Sequence, residues 1–235
     1  MMFNSRYPQV GRAVMAAGLC AGALLVSACG DKPKEEPEAP KEVSNAIEAM
    51  GALAKAGSQM GTAAEEAAKF QQDRRARGDT VSMSYTELQK YLPDAPSGYS
   101  KAEEPGGSSQ SIGSFSMSEA EQKYVAAADA NGNTPTIRVK IVDFGGTEGA
   151  YGMFALPMMM NIKQEDAHRR MGTIQLGPEH TWASEEFNKD NKDAKVTAIT
   201  RYRYVITVEA DNQSEDQSDM VRKLTEKLAR RFEGK

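Results

Sequence analysis

Four soft donors stand close together in the second half of this chain: Met158, Met160, His168 and Met171. Thioether sulfur and imidazole nitrogen are ligands that suit Cu(I), so these residues are a candidate metal site. Met158, Met159 and Met160 are consecutive, however, and successive residues of a helix point in different directions, so three cannot face one ion. Methionine also fills irregular gaps in cores, which is the packing alternative. Hydrolytic chemistry has less to work with. His168 and His180 are the only histidines, and neither G-x-S-x-G nor H-E-x-x-H occurs. Glu185 and Glu186 are adjacent on an expected strand, so they point to opposite faces, which is wrong for a paired acid and base. No catalytic residue is assigned.

Asp129, Asn131 and Asn133 have the alternate spacing of a calcium loop, but Thr134 replaces the required glycine and Lys140 stands where the bidentate acid belongs. These residues read as a turn. Gly145, Gly146, Gly149 and Gly152 follow an expected strand, yet Thr147 occupies the second glycine of the dinucleotide fingerprint and no Lys-Ser/Thr follows. They read as the geometry of a corner, and no cofactor is expected. Arg77-Gly78-Asp79 spells an adhesion tripeptide that is common by chance.

A different chemistry is written at the N-terminus. Arg6 and Arg12 precede a continuous apolar or small run, Ala13 to Val26, and Val26-Ser27-Ala28-Cys29 closes it. Charged n-region, apolar h-region and small residues make an export signal, too short to span a bilayer comfortably. The segment resembles the bacterial lipobox. That resemblance implies cleavage between Ala28 and Cys29, diacylglycerylation of the Cys29 thiol and acylation of the new amino group. Several acyl chains at one site anchor stably, since each buried methylene contributes about 0.8 kcal/mol. Gly30 rather than Asp follows the cysteine; in a Gram-negative host this favours the periplasmic face of the outer membrane over the inner membrane, with Asp31 one place later.

The formal net charge is -4; loss of Arg6 and Arg12 with the leader leaves 27 basic against 33 acidic side chains, or -6. A spread acidic balance disfavours nucleic acid as a partner, because phosphate binding needs concentrated basic surface. Cys20 leaves with the leader and Cys29 carries lipid, so no disulfide is expected and a packed core must supply stability.

These features divide the chain into a signal peptide (1–28), a lipidated N-terminus and charged tether (29–41), an Ala-rich helical spacer (42–80) and a globular domain (81–235). The tether, rich in Pro, Lys and Glu, buries too little to fold. Val43, Ile47, Met50, Ala54, Ala64 and Ala68 recur at helical spacing in the spacer, against the cost of Gly51, Gly57 and Gly61. In the domain, Ser84 to Leu88 reads as a capped helical turn and residues 92–99 as an ordered loop. Residues 103–110 read as flexible. Strands are expected at 112–117, 122–128 and 136–144, with Asn131-Gly132 as a tight hairpin signal before the third. A helix is expected from Thr147 to about Lys163, kinked at Pro157. Further strands are expected at 173–176, 180–187, 195–200 and 203–209. Ser214 and Gln217 read as a capping box opening a last helix, whose stripe of Met220, Val221, Leu224, Leu228 and Phe232 should dock on a sheet.

Two strand runs, each closed by a helix, predict an α+β fold: a mainly antiparallel sheet packed against helices, with Thr136–Met160 and Tyr202–Leu228 as equivalent halves. The lipobox, the tether, the phrase Leu88-x-x-x-Leu92-Pro93-x-x-Pro96-x-Gly98-Tyr99, the strand Ile137 to Asp143 and Arg201 to Glu209 together resemble bacterial envelope lipoproteins without assigned function. The fold implied is similar to the Mog1 and PsbP-like sandwiches. The expected role is a non-enzymatic, lipid-anchored binding or assembly module facing the periplasm, with the membrane and an envelope protein as partners. A small-molecule or Cu(I) binder is the alternative, and an unrecognised hydrolase ranks last.

Overall fold

The computed structural model describes residues 61–62, 64–113, 115–129, 132–145, 158 and 163–235. The chain divides between Pro40 and Lys41, and every described residue lies in the second unit. The leader, Cys29, the tether and the spacer up to residue 60 lie outside the described residues. So does the helix expected over 147–163, apart from Met158, which is helical, and Lys163, which is in a strand.

The elements are helix α1 (61–76), helix α2 (Tyr85–Gln89), strands β1 (Tyr99–Lys101), β2 (Gly106–Ile112), β3 (Phe115–Ala126), β4 (Thr136–Asp143), β5 (Lys163–Glu165), β6 (Arg169–Ile174), β7 (Thr181–Asn188), β8 (Ala194–Thr200) and β9 (Tyr204–Asp211), and helix α3 (Ser218–Arg230). All nine strands join one antiparallel sheet in the order β1-β3-β4-β9-β8-β7-β6-β5, with β2 also paired to β3. The architecture is α+β, as the sequence pattern implies.

Strict alternation drives the central strands. In β4, Ile137, Val139, Ile141 and Asp143 are buried while the residues between them are half-exposed, the period-two pattern of a strand with one covered face. Tyr204, Ile206, Val208 and Ala210 of β9 lie beside them on that face. α3 covers it with Val221 and Leu228, the turn after α3 adds Phe232, all fully buried, and α2 adds Leu88. Phe232 stacks on Tyr204 with ring centroids 4.3 Å apart and on Tyr91 at 4.7 Å. Ser84 caps α2 by accepting from Glu87 N at 3.3 Å. Behind α2, Tyr124 donates its hydroxyl to Pro93 O, and burial, followed by the charge of Asp94, pushes its phenol up to about 12.

Several elements depart from the sequence expectation. β3 is one continuous strand rather than two, because its interior turns hydroxyls and small groups inward. Ser116 and Ser118 are buried and bond Ser82 Oγ at 2.7 and 3.0 Å, while Glu119 and Glu121 face outward to Lys140 and Arg138. The stretch expected to be flexible, 103–110, contains the first five residues of β2. Gly107 there lies against Glu119 O and Tyr85, where a Cβ would come within 2.6 Å of the carbonyl, and Ser109 Oγ accepts from Tyr85 N at 2.9 Å. β3 and β4 are linked by residues 127–135 rather than a tight two-residue turn, with Gly132 at φ +84° donating to Asp129 O. β5 and the start of β6 carry too little apolar character to be read as strands. α3 begins at Ser218 rather than Ser214: Gln217 makes no side-chain cap, and the Asp216 carboxylate accepts from Ser218 N at 2.8 Å instead.

Candidate functional site

Two buried charge centres and one open charged face account for the polar groups most able to recognise a ligand. The first centre is built by the β8–β9 turn. Arg203 N donates to Thr200 O at 3.2 Å, and both central residues, Arg201 (φ 57°) and Tyr202 (φ 53°), are left-handed. Left-handed geometry costs a non-glycine residue about 1–2 kcal/mol, and the contacts of all three turn residues offset it. Tyr202 is buried against Trp182 and Phe70 and donates its hydroxyl to Glu66 at 2.5 Å; the Arg201 guanidinium lies 4.7 Å over Phe70. α1, the described helix of the Ala-rich segment, therefore packs on the β8–β9 turn through Glu66 and Phe70.

Arg203, 5% exposed, bonds Asp143 through Nε (2.6 Å) and Nη2 (2.9 Å), both Asp79 oxygens through Nη1 (2.8 Å) and Val81 O through Nη2 (3.1 Å). Asp143, fully buried, also accepts from Met83 N (2.7 Å) and Gly145 N (2.8 Å). Gly145 is required there: its φ is +54° and a Cβ would meet Ser82 N at 2.5 Å. Burial alone would lower the Arg203 pKa, but Asp143 and Asp79 raise it further. Asp79 is the acid of the adhesion tripeptide, and Arg203 occupies both its oxygens. Arg74 of α1 approaches the same acids; burial first, then the Arg203 charge, lowers its pKa, and its Nε and Nη1 are buried without hydrogen-bond partners.

The second centre lies between the sheet and α3, beside a pocket of about 410 Å³. Glu185, 5% exposed, takes Arg170 Nη2 on one oxygen (3.1 Å) and Arg222 Nη2 on the other (2.5 Å). Ser218 Oγ accepts from Arg170 Nη2 at 3.3 Å and Asp219 from Arg222 Nη1 at 3.1 Å, while Arg222 Nε is buried and unpaired. Burial opposes the Glu185 charge, yet the bonds from Arg222 and Arg170 outweigh it and hold the carboxyl below its ordinary value. An acid so held stays ionised near neutrality and is a poor proton donor. The pocket presents the Arg170 and Arg222 guanidiniums and Lys163 beside the acids Glu165 and Glu185.

The opposite face of the sheet holds a pocket of about 370 Å³. Its charges are mutually paired: Lys140 with Glu119 (2.6 Å), Arg138 with Glu121 and Glu209 (3.2 Å each) and Lys195 with Glu209 (2.7 Å).

The candidate copper ligands have different neighbours. Met158 is buried with Ile199 and Val205, and its carbonyl accepts from Thr173 Oγ1 at 2.9 Å. His168 is exposed in the β5–β6 turn, 3.0 Å from Asp190, and Met171 lies on β6 at the 410 Å³ pocket. Met160 lies outside the described residues. His180 sits beside Phe70 (centroids 4.9 Å) and 3.5 Å from Glu66. Among the described residues, no three His, Cys, Asp or Glu side chains gather as a metal site. Asp129 Oδ1 accepts from Asn133 N at 2.9 Å within its loop, and Asn131 is not described. Glu185 and Glu186 do face opposite ways, Glu185 buried and Glu186 exposed. The signal for the Glu185 centre was its inward phase between Ala183 and Phe187, an unpaired acid in an apolar row demanding a cation.

No described helix is long and apolar enough to cross a membrane. No family model matches the chain, and no curated protein matches its sequence. Among solved structures, the extracellular domain of PknH from Mycobacterium tuberculosis is similar at 11% identity and a TM-score of 0.39, over 66% of this chain and 100% of that one. At that TM-score the likeness assigns neither fold nor function.

Proposed function

We propose that this chain is a lipid-anchored protein of the bacterial cell envelope whose folded domain binds another envelope component. The observation that carries the reading is Val26-Ser27-Ala28-Cys29 at the end of an arginine-led apolar run, followed by a charged tether. The anchor sets the protein at the periplasmic face of the outer membrane. The docked α1 fits this role, because the segment arriving from the tether is tied to the sheet through Glu66, Phe70 and Asp79. Chemical crosslinking in intact envelopes tests the binding role: the full chain captures one reproducible envelope protein, and failure to capture any would remove that role.

A second reading, a binder of small anionic molecules, is favoured by the half-exposed Arg170 and Arg222 side chains that line the 410 Å³ pocket. Calorimetric titration of the full chain with citrate, repeated with Arg222→Gln, separates the two readings. Heat abolished by the substitution supports the pocket; no heat from the parent chain ends it.

A further inference from the structure

We infer that β2 is an open sheet edge that pairs with β2 of a second copy of this chain, in antiparallel register about Ser109. The two edges of the sheet are built differently. β5 is three residues long and two are charged, Lys163 and Glu165, which is how natural edges avoid pairing. β2 runs seven residues, Gly106–Ile112, and pairs among the described residues with β3 alone. It lies in Pro105–Ser118, a stretch without one charged side chain in a chain that is 26% charged. No proline interrupts β2 after its start; α2 lies against the strand, with Tyr85 N on Ser109 Oγ (2.9 Å) and Gln89 Nε2 on Gly106 O (3.2 Å), but no charge or proline of β2 itself guards the edge.

The strand also fits itself. In a two-fold antiparallel pair centred on Ser109, Ile112 of one copy falls opposite Gly106 of the other, and Gln110 opposite Ser108. Ile112 is the most exposed large apolar side chain described, at 77%. A Cβ at Gly106 meets nothing within 4 Å, so the space that Ile112 would fill is vacant in each copy. Burial of both isoleucines beside the exposed Phe115 supplies apolar area, and no like charges oppose one another across the axis. A charged foreign strand gains none of this symmetry.

The register makes the test specific. Opposite residues of an antiparallel pair have Cα atoms about 4.5–5.5 Å apart, within disulfide reach, whereas Ser111 and its symmetry mate are about 14 Å apart. Full-length Ser109→Cys and Ser111→Cys chains are oxidised mildly in native membranes beside the parent, which corrects for Cys29. The disulfide-linked dimer is expected to be about tenfold more abundant for Ser109→Cys than for Ser111→Cys. Sedimentation of the detergent-extracted full chain provides the second reading. The parent sediments as a dimer, and Gln110→Lys, which sets two ammonium groups diagonally across the axis, sediments as a monomer. Equal crosslinking at both positions, a monomeric parent, or Ser109→Cys joined only to a different polypeptide would each overturn the self-pairing.

Discussion

Arg203 and Glu185 are both buried ions answered by two side chains of opposite sign, yet their surroundings differ. Around Arg203 the partners converge from the segment after α1 and from β4, and Asp143 is fully buried with backbone donors on both oxygens. Around Glu185 the two arginines are 38% and 37% exposed and flank an open pocket. The first centre joins segments around a fully buried carboxylate, with Asp79 half-exposed at its margin; the second has half-exposed partners on both sides. One fully buried partner, Asp143, separates the two centres: Asp79 is 38% exposed, as the arginines on Glu185 are, but at Glu185 neither partner is buried.

Breaking the Arg203 centre has the largest expected effect. Asp143→Asn leaves the Arg203 charge buried with half its compensation, and urea unfolding should show about 3–5 kcal/mol of lost stability. An unchanged midpoint would mean that water reaches Arg203. Glu185→Gln should cost less, about 1–2 kcal/mol, because solvent screens the exposed guanidiniums. The pH dependence sharpens the contrast. The folded carboxyl of Glu185 sits below its unfolded value, so its contribution is present above the ordinary glutamate range and is lost as pH falls through the folded value. Acid titration of stability should therefore be shallower in Glu185→Gln than in the parent over that window.

Tyr202→Phe removes the hydroxyl bond to Glu66 and should cost about 1 kcal/mol. Its effect is local: amide exchange quickens in α1 and hardly changes in β4 and β9. Uniform acceleration across the sheet would contradict the role of this contact as a helix clasp. The smallest effect belongs to the open face, where Lys140→Met should change stability by about 0.2–1 kcal/mol, a difference that shrinks in high salt.

The sequence pattern made the local features legible. Alternation over Ile137 to Asp143, the stripe of Val221, Leu228 and Phe232, and Ser84 as a cap all follow from periods and side-chain chemistry within one element. The charge centres were not legible for the same reason. Arg203 meets Asp143 across 60 residues and Asp79 across 124, and no local period encodes such a pairing. β2 and the middle of β3 were obscured because serine and glycine usually mark loops; here Ser116 and Ser118 face inward to Ser82, and Gly107 is forced by close approach. Methionine spacing left coordination and core filling both open; Met158 packs among Ile199 and Val205, and His168 faces solvent beside Asp190.

The anchor is the claim on which the proposed role depends most directly, and intact-mass analysis of membrane-extracted protein tests it beside a Cys29→Ala chain. The account predicts a mature chain that begins at Cys29, carries acyl chains and loses both cleavage and lipid in the substituted form. A membrane-extracted chain that retains its leader, or begins at Cys29 without added mass, would contradict it.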